Sequence, residues 1–176
     1  MVRYALLIMA SAVSGCFYPP QQNPLPESQT HVILQLPYYR AWNAVHAVIV
    51  HNDYRIVTEN PDQGSIEAQA VGGFTLADAD CGKLKGIGGK YGVDPDVDSS
   101  AVYDFQIKPR GNEAASVDVR GTFTAPLEVP LHPPRGEQCV SRGTEEARLL
   151  REVVQQARNE HGPVLTMPLP ARETVK

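Results

Sequence analysis

Three cysteines, at positions 16, 81 and 139, are the residues of this chain whose type and placement bear most directly on chemistry. A thiol serves as nucleophile, metal ligand, lipid attachment point or half of a disulfide, and its surroundings decide which. Cys81 and Cys139 read as a disulfide pair if the chain is exported to an oxidising compartment. Such a bond closes a loop of nearly sixty residues and contributes about 4 kcal/mol in the chain-entropy picture. The rival reading is a nucleophilic cysteine with a histidine partner, which would leave the other thiol unpaired. Asp94, Asp96 and Asp98 alternate as carboxylates that could converge on a hard cation. The EF-hand pattern nevertheless stops there, with Ser99 where glycine is needed and Phe105 where the terminal glutamate belongs. Gly82 to Gly92 is glycine-rich but misses both phosphate-binding spacings: Leu84 stands five before Gly89, Tyr91 follows Lys90, and Tyr91 also replaces the last glycine of a dinucleotide motif. His46 and His51 are five apart rather than four, with no glutamate of a zinc motif, and no serine sits in a Gly-x-Ser-x-Gly elbow. No cofactor is expected, and the chain is not read as an enzyme.

The surroundings of Cys16 are the most informative. Arg3 places one positive charge at the start, a ten-residue apolar stretch follows from Tyr4 to Val13, and small residues precede the cysteine. That is the layout of an export signal. It is too short for the roughly 20 residues that a helix needs to span a bilayer core. Val13-Ser14-Gly15-Cys16 resembles the lipobox of bacterial lipoproteins, in which the cysteine becomes the N-terminus and carries diacylglycerol and a further acyl chain, commonly palmitate. The resemblance implies residues 1–15 as a signal peptide, acylated Cys16 as a membrane anchor, and the lipid bilayer as a partner. Buried acyl methylenes at about 0.8 kcal/mol each make such an anchor effectively permanent. In that family aspartate after the cysteine marks retention in the inner membrane of enteric bacteria. Phe17 here implies the outer membrane.

Loss of Arg3 with the signal takes the net charge from −4 to −5. A mildly acidic chain whose basic residues scatter as Lys83, Lys85 and Lys90 has no stripe to exchange for phosphate counterions, so nucleic acid is excluded as a partner.

The elements that position these residues follow from periodicity. Residues 16–29, rich in Pro, Gln, Asn and Ser, read as lipidated cysteine plus flexible tether. Residues 30–162 read as one α+β domain. His31-Val-Ile-Leu-Gln-Leu has strand character. Pro37 then opens a helix whose Ala41, Trp42, Val45, Val48 and Ile49 form one apolar face, with Trp42 expected to pin it to a sheet. Tyr54 to Thr58 and Ser65 to Ala70 flank an Asn-Pro and Gly turn as a hairpin. Tyr103, Phe105 and Ile107 alternate with polar residues, as do Val117, Val119 and Phe123, giving two more strands around Arg110-Gly111-Asn112. Thr144 is expected to cap a last helix with a Leu149, Leu150, Val153, Val154, Ala157 stripe, stopped by Gly162-Pro163. Residues 163–176 read as a loose tail. The plan is strand-helix-strand-strand-loop-strand-strand-helix, an antiparallel sheet with two helices packed on one face and the other face free.

Val32-Ile-Leu-Gln-Leu, Ala41-Trp-Asn-Ala-Val, Asp53-Tyr-Arg-Ile and Asp62-Gln-Gly-Ser-Ile together resemble the start of helix-grip domains of outer-membrane lipoproteins, such as the C component of the β-barrel assembly machinery. The segment 139–150 resembles their finish. The resemblance implies a non-enzymatic binding or assembly factor of the cell envelope, with its domain in the periplasm and another envelope protein as partner. Docking is expected through the free sheet face or the loop from Cys81 to Ser100. The alternative is a small-molecule or cation binding module built on the Gly- and Asp-rich loop 82–100.

Overall fold

In the computed structural model of the chain, the described residues are 16–18, 20, 25–85, 99–127, 135–161 and 166–167. Residues 1–15, expected to be a signal peptide, and residues 86–98, with Asp94, Asp96 and Asp98, lie outside them. The elements are β1 (Cys16–Tyr18), α1 (Glu27–Thr30), β2 (His31–Leu34), α2 (Tyr38–His51), β3 (Arg55–Asn60), β4 (Ser65–Gln69), β5 (Ala79–Asp80), β6 (Lys83–Lys85), β7 (Ser100–Pro109), β8 (Ala115–Leu127), β9 (Arg135–Ser141), α3 (Thr144–His161) and β10 (Thr166–Met167).

The α+β plan is as expected: an antiparallel sheet with α2 and α3 packed side by side on one face. Its strands run β10-β2-β8-β7-β4-β3. β8 has 13 residues, long enough to take two neighbours in succession along one edge. Residues 115–118 pair with β2, and residues 123–127 pair with β9, which in turn carries β5. A separate two-stranded ladder sets Cys16 opposite Lys85 and Tyr18 opposite Lys83. The segment read as an extended tether therefore has strand structure at Cys16–Tyr18 and a helical turn, α1, where it joins the domain. The tail likewise contributes Thr166 and Met167, paired with Leu34 and Ile33.

Alternation sorts the sheet residues as the pattern requires. Ala101, Tyr103, Phe105 and Ile107 of β7 are buried beneath the helices, with Ile66 and Ala68 of β4 and Val117, Val119 and Phe123 of β8. The core is closed from above by Ala41, Ala44, Val45, Val48 and Ile49 of α2 and by Leu149, Leu150, Val153 and Ala157 of α3. Trp42 is only half-buried, its ring 6.2 Å from Tyr38 at the margin of the core. The small Ala41 and the branched Val45 make the close approach instead, since an indole there would hold the helix off the sheet. Rings fill the widest part of the interior: Tyr54 stacks on Tyr103 at 5.4 Å, and Phe123 meets Tyr103 and Phe74 edge-on.

Three local features set the element ends. The C-terminus of α2 is closed by Asp53 in the left-handed region, φ 55°. The Tyr54 and Asp53 amides return to the Ile49 and Val50 carbonyls, satisfying carbonyls that the helix leaves open. The hairpin between β3 and β4 depends on Gly64, at φ 69°, because a Cβ there would fall 1.9 Å from the Ile107 carbonyl oxygen. The third corrects an expectation: Thr144 does not cap α3. It is the first residue of the helix, and its hydroxyl donates to the Ala77 carbonyl. The Gly143 carbonyl accepts the first helical bond from Ala147, leaving the capping position to a residue with no side chain.

Candidate functional site

The densest polar cluster lies where the end of α2 meets the start of α3. The turn after α2 delivers Asn52 and Tyr54, and α3 presents Glu145, Arg148 and Glu152 on one face at three- and four-residue steps. Arg148 donates through Nε to Glu145 at 2.8 Å, through a second nitrogen to the other Glu145 oxygen, and to Glu152. It also reaches Asn52 Oδ1 at 2.9 Å and the Tyr54 hydroxyl at 3.1 Å. Tyr54 donates to Glu145 at 2.7 Å, and Asn52 Nδ2 bridges Glu152 and the Val48 carbonyl, each at 2.8 Å.

Electrostatics in this cluster run away from proton transfer. Burial, then the bond to Glu145 and its charge, push the Tyr54 phenol above its ordinary range. Burial would also raise Glu145, but the hydrogen bonds from Arg148 and Tyr54 and the guanidinium charge outweigh it and hold the carboxyl below the usual range. The bond to Glu145 outweighs burial at Arg148 and keeps it protonated. A general acid or base working at neutral pH needs the opposite tuning. The cluster fastens α2 to α3.

A second group sits at the α3 N-terminus. Glu146 is buried, and one oxygen accepts the Gly121 amide at 3.1 Å and the Ser141 hydroxyl, while Oε2 has no partner. Gly121 is required for that approach, because a Cβ would lie 2.9 Å from the carboxylate and 2.6 Å from the Phe123 ring. Glu146 thus ties β8 and β9 to the positive end of α3. On β2, His31 Nδ1 donates to Asp118 at 2.7 Å while its Nε2 is buried without a partner.

Cys81 and Cys139, the pair expected from sequence, are joined in a disulfide with Cα atoms 4.2 Å apart. It links the residue after β5 to the middle of β9, where Cys139 stands opposite Phe123 of β8. Cys16, the expected lipid site, is the first residue of β1. Asp78 and Asp80 serve local structure: Asp78 closes its own turn by accepting the amide and hydroxyl of Thr75, and Asp80 accepts the Gly82 amide. His46 and His51 line the same hollow over α2, and His46 Nε2 lies 3.7 Å from Glu59. Among the described residues, no group of three His, Cys, Asp or Glu is placed to hold a metal.

Surfaces remain. The sheet face turned away from α2 and α3 presents Glu67 and Gln69 of β4, Asp104 and Lys108 of β7, and Arg120 and Thr122 of β8, with Asp104 directly opposite Arg120. It is polar with interleaved charge. Two shallow hollows of about 500 and 330 Å³ lie over α2 and α3, sharing His51 and Gln156. A larger groove of about 780 Å³ runs between α3 and the outer edge of β2, floored by Val32, Ala147, Leu150 and Val154. Sequence reasoning missed this groove and the Arg148 cluster. The Glu145-x-x-Arg148-x-x-x-Glu152 spacing was a visible signal for the helical half of the cluster, but nothing local pointed to Asn52 and Tyr54. Among the described residues no helix is long and apolar enough to cross a membrane.

No known protein-family model and no curated protein matches this chain.

Proposed function

We propose that this chain is a lipoprotein of the bacterial outer membrane, anchored through acylated Cys16, whose periplasmic domain is a non-enzymatic binding or assembly factor for other envelope components. The observation that carries the reading is the division of labour among three cysteines. Two are used in a disulfide, a bond that persists in oxidising compartments. The third follows Val13-Ser14-Gly15 directly, where the lipobox resemblance places the acyl chains. Support for binding rather than catalysis comes from the titratable groups brought together in the fold. Tyr54, Glu145, Arg148, Glu152 and Asn52 satisfy one another, and the surfaces left over are a polar sheet face and open grooves.

Fractionation of cells making the wild-type chain and Cys16→Ser tests the anchor. The wild type is expected with the outer membrane and the variant in the soluble periplasm. Equal distribution of both would contradict the reading. Photo-crosslinking residues placed in turn at Thr122 on the sheet face and Gln155 beside the α3 groove test the binding role in the living envelope. A discrete adduct with one envelope protein is expected from at least one position, and none from either would contradict a binding role.

A further inference from the structure

Tyr39, Val50, Val57, Val71 and Leu76 are the exposed large apolar side chains of the described residues, and Val71 is the most open of them at 77%. Val71 and Leu76, the latter 56% exposed, share one short loop between β4 and β5. That loop is fastened from within. Phe74, which lies between them, is buried with its ring 5.0 Å from Phe123, and its amide donates to the Ser99 hydroxyl at 3.4 Å. Asp78 closes the turn on the Thr75 amide and hydroxyl, and its own carbonyl accepts the Arg142 amide. With Phe74 holding the interior place, Val71 and Leu76 are presented to the outside.

The loop and the expected anchor lie at one end of the domain. β4 runs away from the hairpin turn at Gly64 and delivers Val71 at the opposite end of the sheet. From the loop the chain passes through β5 to Cys81, which is bonded to Cys139, the residue opposite Phe123. Four residues on, Lys85 stands opposite Cys16 in the antiparallel ladder of β6 with β1. Four residues cover at most about 14 Å and a cross-strand step about 5 Å, so Cys16 lies within about 20 Å of Cys81. Tyr39 belongs to the other end, because the neighbouring Tyr38 hydroxyl donates to the Pro61 carbonyl in the hairpin turn.

We propose that this end of the domain seats on the bilayer that holds the anchor, with Val71 and Leu76 entering its headgroup layer. The inference rests on the reading of Cys16 as an acylated N-terminus and names the orientation which that anchor imposes. A free tether lets any face meet the membrane. An anchor paired with β6, close to a Cys81 that is itself bonded to β9, brings one end of the sheet to the lipid. Apolar side chains gain by leaving water for the acyl boundary, and attachment makes the encounter intramolecular, so that a weak contact is well populated. β6 adds Lys83 opposite Tyr18 and Lys85 opposite Cys16, residues whose charge an anionic headgroup layer favours. The carboxylates nearest the loop in sequence are already engaged, Asp78 with Thr75 and Asp80 with the Gly82 amide.

The test uses the mature chain extracted from membranes, with the adduct on Cys16 checked by intact mass, reconstituted into vesicles of phosphatidylethanolamine and phosphatidylglycerol. Val71→Trp, Leu76→Trp and Tyr39→Trp each place a single tryptophan in a Trp42→Phe background, at exposed positions where no packing is replaced. Emission from positions 71 and 76 is expected to shift to the blue in vesicles and to be quenched by lipids brominated along the acyl chain, while emission from position 39 does neither. The wild type needs no substitution for a second reading: amide hydrogen exchange over residues 71–77 should be slower in the vesicles than in the unacylated Cys16→Ser chain, and V71D/L76D should abolish the difference. Absence of quenching at positions 71 and 76, equal quenching at position 39, or the same wild-type exchange in both settings would overturn the seating while the mass still shows the lipid. A bare Cys16 would overturn the anchor and the seating together. Protection of the loop only after addition of an envelope extract would assign Val71 and Leu76 to a protein partner and likewise overturn the proposal.

Discussion

Cys81 and Cys139 are bonded with their Cα atoms 4.2 Å apart, which joins the segment leaving β5 to the strand that lies along the far half of β8. Among the described strands, β9 is an outlying one, with β5 on its other side. The bond reinforces the two-residue ladder of β5 on β9, beside the five-residue ladder of β9 on β8. It also leaves the third cysteine of the chain, Cys16, outside the disulfide.

Removing the bond is expected to be costly. Closing a loop across 58 residues restricts the unfolded chain by about 4 kcal/mol. The double variant Cys81→Ala/Cys139→Ala should lose stability of that order in urea unfolding. Wild type measured after reduction should fall to the same level. A loss below about 1 kcal/mol would mean that β9 is held by the ladder alone.

Arg148 connects four side chains, Glu145 and Glu152 of α3 and Asn52 and Tyr54 of the turn between α2 and β3. Arg148→Met leaves Glu145 and Glu152 without their counter-charge and should cost about 2 kcal/mol, and Tyr54→Phe about 1 kcal/mol. Because the two share Glu145, the double variant should cost less than the sum by at least about 0.5 kcal/mol. Strict additivity in unfolding free energies would contradict the described cluster. Arg148→Lys should recover only part of the loss, since an ammonium cannot match the forked pairing.

The same groups set the pH limits of stability. Glu145 is depressed in the fold, so its contribution is fully present above the ordinary carboxyl pKa of about 4.3 and is lost as pH falls through the lower folded value. Tyr54 and Tyr103 are raised, chiefly by burial, so their contribution is present below about pH 10 and lost as pH rises beyond it. Unfolding free energy should be flat across neutral pH and fall on both sides. In Tyr54→Phe the alkaline limb should become shallower. An alkaline limb identical to wild type would remove Tyr54 from the account.

Glu146→Ala should destabilise by about 3 kcal/mol, since it leaves the part-buried Gly121 amide and Ser141 hydroxyl unpaired and opens a cavity where the buried carboxylate stood. A variant within about 0.5 kcal/mol of wild type would mean that the carboxylate is not a structural tie. Thermal unfolding followed by far-ultraviolet circular dichroism reads the difference.

Much of this fold was legible from periodicity. α2 and α3 carry apolar stripes at helical spacing, and β7 and the first half of β8 alternate residue by residue, because each has one face on the core. The outlying strands were not legible for the converse reason. β9 reads Arg-Gly-Glu-Gln-Cys-Val-Ser, and β5 and β10 have two residues each. Such strands bury too little to impose a pattern and exist because a neighbour supplies hydrogen bonds. The disulfide could be anticipated from the cysteine count together with the resemblance of the first sixteen residues to the start of an exported lipoprotein. The Arg148 cluster could be anticipated only in its helical half, since Asn52 and Tyr54 reach it through the left-handed turn at Asp53.

The central claim is that Cys16 is an acylated N-terminus while Cys81 and Cys139 are oxidised. Intact mass of the mature protein extracted from membranes, with and without reduction before alkylation, tests both halves at once. The account predicts loss of residues 1–15, a lipid adduct on Cys16, and two alkyl groups gained only after reduction. A chain that retains residues 1–15 or shows an unmodified Cys16, with a thiol at Cys81 or Cys139 alkylated before reduction, would contradict it.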